Sequence, residues 1–334
     1  MKIVVFGPEQ RVGAWEGDTI VDLNRAFASY LRERGENAAT QTADARVPAR
    51  LEAFIAAGEA ALDDARRAIE HAAGGAGAAP DGGPVVHAAG SVKLHAPWPG
   101  RRIACMGGNY ADHLMGMEAR RLGRNVTLEE VTRSAREGGQ WGFWKVPDTV
   151  AGPDDDVPYP RRTRYFDYEG EAAIVIGKRG RDIPASRIGE YVWGVTLFHD
   201  WSIRDDPWVS KPMSYNRPKN FDGSTSMGPC IVVGELDPQN VDVETRVNGQ
   251  VRQHYNTRDM IWPFGEVLEL LSQDFTFVPG DVIAGGTAAG TAADKTPPGP
   301  DGTRATDLFL KVGDVVEVSS PQIGRLCNRI VQAS

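Results

Sequence analysis

Asp167, Glu169 and Glu171 alternate with Tyr168 and Gly170 in residues 165–178, and their spacing is the first sign of chemistry in this chain. On an extended backbone, residues two apart point to one face, so Glu169 and Glu171 converge. Two such carboxylates repel unless a cation sits between them. Carboxylate oxygens favour hard ions, which points to Mg²⁺ or Mn²⁺, with Ca²⁺ as a further option. A solvated acidic edge strand is the competing reading. Asp200 follows an apolar run at 191–198 and is a candidate third ligand. Arg204, four residues on, is within reach of an anionic substrate. A surface ion pair would explain those two residues equally well.

Further candidates lie upstream. Arg102 opens an apolar run to Met106, then Gly107 and Gly108 allow a sharp turn with close backbone approach. His113 follows at the start of a predicted helix, close to that turn, where a histidine taken alone is more often a satisfied structural residue. Residues 141–144 are densely aromatic and end at Lys145, as core or as the wall of a pocket. The glycine-rich turns lack the spacing of phosphate or dinucleotide loops. Neither Ser202 nor Ser210 sits in a G-x-S-x-G elbow, which disfavours a serine hydrolase of the α/β type.

These residues need strands to hold them, and the apolar pattern supplies them. The run 172–176 is rich in β-branched residues and reads as a strand entering a core. Short strands at 3–6, 14–16 and 19–23 precede helical material at 26–34 and 50–73. Residues 1–97 therefore read as a small α/β unit without chemistry, with residues 98–334 as the catalytic unit. Thr127 and Glu130 have capping-box spacing and predict a helix to about residue 137. Asn248-Gly249 predicts a hairpin, residues 261–271 a helix, and 281–284 a strand running into Gly285 and Gly286.

The 334 residues include 41% hydrophobic and 25% charged side chains, an ordinary globular composition. A net charge of −8 argues against non-specific nucleic-acid binding. No run approaches a membrane span, and the apolar start of the chain is too short for a signal peptide. Three cysteines without paired spacing fit a reducing cytoplasm.

Taken together, five ordered stretches resemble the fumarylacetoacetate hydrolase family. They are residues 108–113, 167–178, 200–205, 219–222 with 227–229, and 278–283 leading to Gly286-Thr287. The resemblance covers about residues 95–334. It implies an α+β, mainly β fold with a β-roll or barrel catalytic domain. It implies Glu169, Glu171 and Asp200 as ligands of one Mg²⁺ or Mn²⁺. It also implies Lys219 and Arg204 as a clamp on the substrate carboxylate or enolate, His113 as general base, and Thr287 as a substrate contact. Tyr110 and Lys145 are further candidates for holding the substrate. The implied substrate is a 2-oxo acid or 1,3-dicarbonyl acid, cleaved hydrolytically at a C–C bond. Decarboxylation and enol–keto isomerisation are the alternatives on the same site, and a catalytically silent relative is the reading from another class. A homodimer is expected, motivated also by Trp193, Trp201 and Trp208, for which burial in one protomer is the alternative.

The pattern is broken at three positions. Small hydrolytic members carry a Glu three residues after the histidine, where this chain has Gly116; the nearest acid is Glu118, the candidate to orient His113. Gly223 and Ala288 stand where Thr and Pro are usual.

Overall fold

A computed structural model describes residues 1–205, 216–234 and 236–333. Trp208, Ser210 and most of the expected loop before Lys219 lie outside the described residues. The molecule is α+β and dominated by two sheets. The larger has eleven strands and runs from Val86–Ala88 through Thr19–Asp22, Arg11–Glu16, Lys2–Phe6, Thr225–Val233, Val192–Asp200, Gly170–Ile176, Val282–Ala284 and Ile103–Gly107 to Trp141–Lys145. The short strand Leu94–His95 also pairs with Lys2–Phe6. This path is open, with separate edge strands at its two ends, so the described strands form a roll rather than a closed barrel. A second sheet of five strands comprises Gln250–Asn256, Asp242–Val247, Val315–Ser320, Gly324–Gln332 and Asp156–Tyr159.

The expected boundary near residue 97 falls within shared structure. Lys2–Phe6 pairs with Thr225–Val233, with Ile3 opposite Ile231. Phe54 packs edge-on against Trp193 at 6.1 Å, inside a core that both segments build. The helical stretch read at 50–73 is two helices, Leu51–Ala56 and Gly58–Ala73, because Gly58 adopts a φ of +68° that ends the first. The hairpin at Asn248-Gly249 forms with both residues at positive φ, and the Thr127–Glu130 capping box starts the helix Leu128–Gly138.

Trp193 and Trp201 are buried within the chain, and Trp201 donates from Nε1 to Ser226 Oγ at 2.8 Å. These two tryptophans therefore give no support to an intersubunit surface. No described helix is long and apolar enough to cross a membrane.

Pairing directions set up the site. Ile103–Gly107 runs parallel to Val282–Ala284, so the glycine turns that follow both strands emerge at the same end. Asn109 ties them together: its Nδ2 donates to the Gly285 carbonyl at 2.9 Å and to the Trp262 carbonyl at 3.1 Å.

Candidate active site

Gly170–Ile176 and Val192–Asp200 are antiparallel, with Gly170 opposite His199 and Glu171 opposite Phe198. This register brings Asp200 level with Glu169, whose carbonyl accepts the Asp200 amide at 3.1 Å. Gly170 is required between the two glutamates, because a Cβ there would lie 2.1 Å from Thr245 Oγ1. One carboxylate oxygen from each of Glu169, Glu171 and Asp200 lies within 4.8 Å of the other two, and all three residues are buried.

Cations surround this cluster unevenly. Lys219 donates to Glu169, to Asp200 Oδ2 at 2.6 Å and to Ser202 Oγ at 2.7 Å. Arg204 bridges Asp167 at 2.8 Å and Glu169 at 2.6 Å. Lys145 is fully buried, donating to Asp200 Oδ1 at 2.5 Å and to the Ser224 carbonyl at 2.7 Å. Its ammonium, expected at the substrate, is engaged here by Asp200 and the Ser224 carbonyl.

Glu171 is the exception. Among the described residues, only the Gly286 amide donates to its carboxylate, at 3.0 Å. Burial, then the charges of Asp200 and Glu169, pushes its proton affinity well above the usual carboxylate range. Burial acts on Glu169 in the same sense, but Lys219 and Arg204 outweigh it and hold that group low. A divalent ion would offset the mutual repulsion of Glu169, Glu171 and Asp200 that adds to burial in holding the Glu171 proton affinity high, and an all-oxygen donor set suits Mg²⁺ or Mn²⁺. The residues present fit such an ion.

His113 sits in the first turn of the helix Ala111–Leu122. Its Nδ1 meets Asp294 Oδ2 at 2.9 Å. A carboxylate favours the Nδ1–H tautomer, which leaves Nε2 as the proton acceptor. Burial lowers the His113 pKa, but the hydrogen bond and charge of Asp294 outweigh it, with Glu169 adding to the rise. Asp294 is fixed in turn by amides of Gly290 at 3.0 Å and Thr291 at 3.1 Å. Asp167 holds the same short helix, Ala292–Lys295, by accepting from the Ala292 and Ala293 amides.

Glu118, expected at the imidazole, faces elsewhere. It pairs with Arg121 and accepts from Ser134 Oγ at 3.0 Å, and the Arg121 hydrogen bonds push it down to about 2. The acid at the ring is Asp294, 181 residues from His113 in sequence. Thr287 donates to the Gly170 carbonyl at 3.0 Å and accepts from Gln253. Tyr110 is buried edge-on against Tyr255, whose hydroxyl donates to the Gly170 carbonyl at 2.9 Å. Both thus buttress Gly170 or its neighbours. Behind Glu169, burial lowers the pKa of His199 to about 3, and its ring stacks on Trp201 at 4.0 Å. His113, Asp294, Gly116, Met117 and Arg120 line a cleft of about 370 Å³.

Residues 102–331 match the family model described as fumarylacetoacetate (FAA) hydrolase, C-terminal. The chain belongs to the fumarylacetoacetate hydrolase family. The oxaloacetate tautomerase YisK of Bacillus subtilis is 35% identical over 253 residues, covering 74% of this chain and 76% of the relative. Among solved structures, the fumarylacetoacetate hydrolase of Exiguobacterium antarcticum is 29% identical, with a TM-score of 0.70 and full coverage of both chains. The maleylpyruvate hydrolase of Sphingobium sp. SYK-6, solved with manganese(II) and pyruvate, has a TM-score of 0.68 over the full length of both chains. Its 23% identity shows the fold alone. A metal-dependent activity of this family on an oxo acid fits the site, and the buried acidic triad fits a divalent ion.

Proposed function

We propose that this chain catalyses enol–keto tautomerisation of a 2-oxo dicarboxylic acid, using one Mg²⁺ or Mn²⁺ held by Glu169, Glu171 and Asp200. The observation that carries this reading is the His113–Asp294 pair together with the buried cluster of Glu169, Glu171 and Asp200, whose charge acts on His113 through Glu169. The tautomerase activity named for the Bacillus subtilis relative supports the same branch. When bound, the ion supplies Lewis-acid polarisation of the 2-oxo group. Neutral His113 accepts a proton from the carbon next to that group through Nε2. Asp294 stabilises the resulting imidazolium, and the proton returns to the substrate oxygen directly or through solvent. Lys219 and Arg204 add fixed positive charge in a sheltered setting, where it acts more strongly than in water.

C–C hydrolysis is the second reading, because an oriented imidazole is also what activates water. The test is to incubate metal-loaded protein with oxaloacetate, an acylpyruvate and fumarylacetoacetate. Enol absorbance and product NMR are followed together. Accelerated loss of enol without C–C cleavage is the expected result. Cleaved acylpyruvate would transfer the assignment to hydrolysis, pyruvate formed from oxaloacetate would transfer it to decarboxylation, and inertness towards all three would refute both readings. The family resemblance also supports a homodimer, which light scattering distinguishes from a single 36.2 kDa chain. Three unpaired cysteines support a reducing cytoplasm.

A further inference from the structure

The helix Ala111–Leu122 carries His113, Gly116 and Arg120 at intervals of three and four residues, which puts them on one face. All three line the 370 Å³ cleft that also contains Asp294. Gly116 leaves open the space that a side chain would fill. A Cβ built there would lie 3.4 Å from Arg120 Nη1, so the guanidinium folds back over the bare position. The other arginines nearby are committed: Arg121 to Glu118 and Arg124 to Glu130. Asp112, the cleft's other carboxylate, accepts the His113 amide at 2.7 Å. Among the described residues, the Arg120 guanidinium has no hydrogen bond or ion pair, its carbonyl alone accepting the Gly123 amide at the helix end. Arg304, held by the Ala293 carbonyl at 2.8 Å, lies in the same field. Burial, then the charges of Arg204 and Arg120, lowers its pKa against the opposing charges of Asp167 and Asp294, which places the Arg120 charge within reach of this wall of the site.

From this arrangement we infer that Arg120 is a specificity residue, receiving the distal carboxylate of a dicarboxylic 2-oxo acid while the 2-oxo end lies at the acidic cluster. The assignment rests on the tautomerase reading for its substrate class. It also gives Gly116 a role, since an acidic side chain there would pair with the guanidinium and occupy it. Arginine suits the task because its planar fork binds a carboxylate through two parallel hydrogen bonds.

The test compares a 2-oxo diacid with its distal methyl monoester, on metal-loaded wild-type, R120Q, R120K and R121Q proteins. The ratio of kcat/KM for diacid over monoester should fall about 10- to 100-fold in R120Q, mainly through KM. R120K should recover part of it, because charge is kept and the fork is lost. R121Q should match wild type. An unchanged ratio in R120Q, or an equal fall in R121Q, overturns the assignment, the latter because general surface charge would then suffice. Calorimetric affinities for the same two compounds read the subsite without turnover. If wild type is inert but prefers the diacid through Arg120, the tautomerase reading fails and the subsite stands. If wild type turns over both compounds and R120Q binds them with unaltered preference, the subsite fails and the tautomerase reading stands.

Discussion

The two halves of the site are built differently. The acidic cradle stands at the start of one strand of the large sheet and the end of its neighbour, with Glu169 just ahead of Gly170–Ile176 and all three carboxylates buried. The proton-transfer arm pairs a residue of the helix Ala111–Leu122 with one of the four-residue helix Ala292–Lys295, on the wall of an open cleft. Strand register fixes the cradle to within a hydrogen bond, whereas the arm depends on one contact between distant segments. The difference teaches where each function can be altered. Changes in the arm should spare metal affinity, and changes at Glu171 or Asp200 should spare the titration of His113, to which Glu169 alone of the three contributes.

The largest effect is expected from H113A. Losing a general base costs about 10²–10⁴-fold in rate, so kcat should fall by that amount while calorimetric Mn²⁺ affinity stays at the wild-type value. If affinity falls with it, the two halves are not separable. D294N comes next, at about 10- to 100-fold in kcat/KM, because the imidazolium loses its stabilising charge. Asp294 raises the His113 pKa, and the neutral ring is the base, so activity climbs as pH rises through that pKa. Removing the charge lowers the pKa, and the acidic limb of the pH–rate profile should move to lower pH. A limb that stays put would exclude Asp294 as the orienting group.

How much of this was legible in the sequence follows the same division. The cradle was readable because the alternation at 167–171 is local and period two fixes the shared face. Asp200 was readable as the end of an apolar run. Asp294 was not, although Thr291 and Asp294 show capping-box spacing: nothing in that spacing reports the approach of a helix 181 residues away. The Lys145–Asp200 contact was hidden for a related reason. Lys145 lies on an edge strand, where the pattern of residues 141–145 does not say which side chain turns inward to Asp200. The α+β, mainly β class came with the family resemblance, but closure depends on which edges pair, and that is a long-range property.

In the cradle, E171Q should weaken Mg²⁺ or Mn²⁺ binding by about tenfold or more, equivalent to about 1.4 kcal/mol. The metal-free protein should behave in the opposite sense. Glu171 is a buried carboxylate crowded by Asp200 and Glu169, and neutral Gln relieves that repulsion, so the metal-free melting temperature should hold or rise. Unchanged metal affinity would remove Glu171 from the ligand set. A lower metal-free melting temperature would mean that its charge stabilises the fold.

The smallest effect is expected from E118Q. Its carboxylate is engaged by Arg121 and by Ser134 Oγ, and stays ionised because Arg121 pushes it down to about 2. A side chain so held at the surface contributes nothing to proton transfer at His113, and its loss should change kcat/KM by less than about twofold, as for surface substitutions away from a site. The informative readout is the pH–rate profile. Amide substitution at Glu118 should leave the acidic limb where wild type has it, while D294N displaces it. If E118Q moves the limb as far as D294N does, Glu118 reaches the imidazole in solution, and the arm is assembled from one helix rather than from two distant segments.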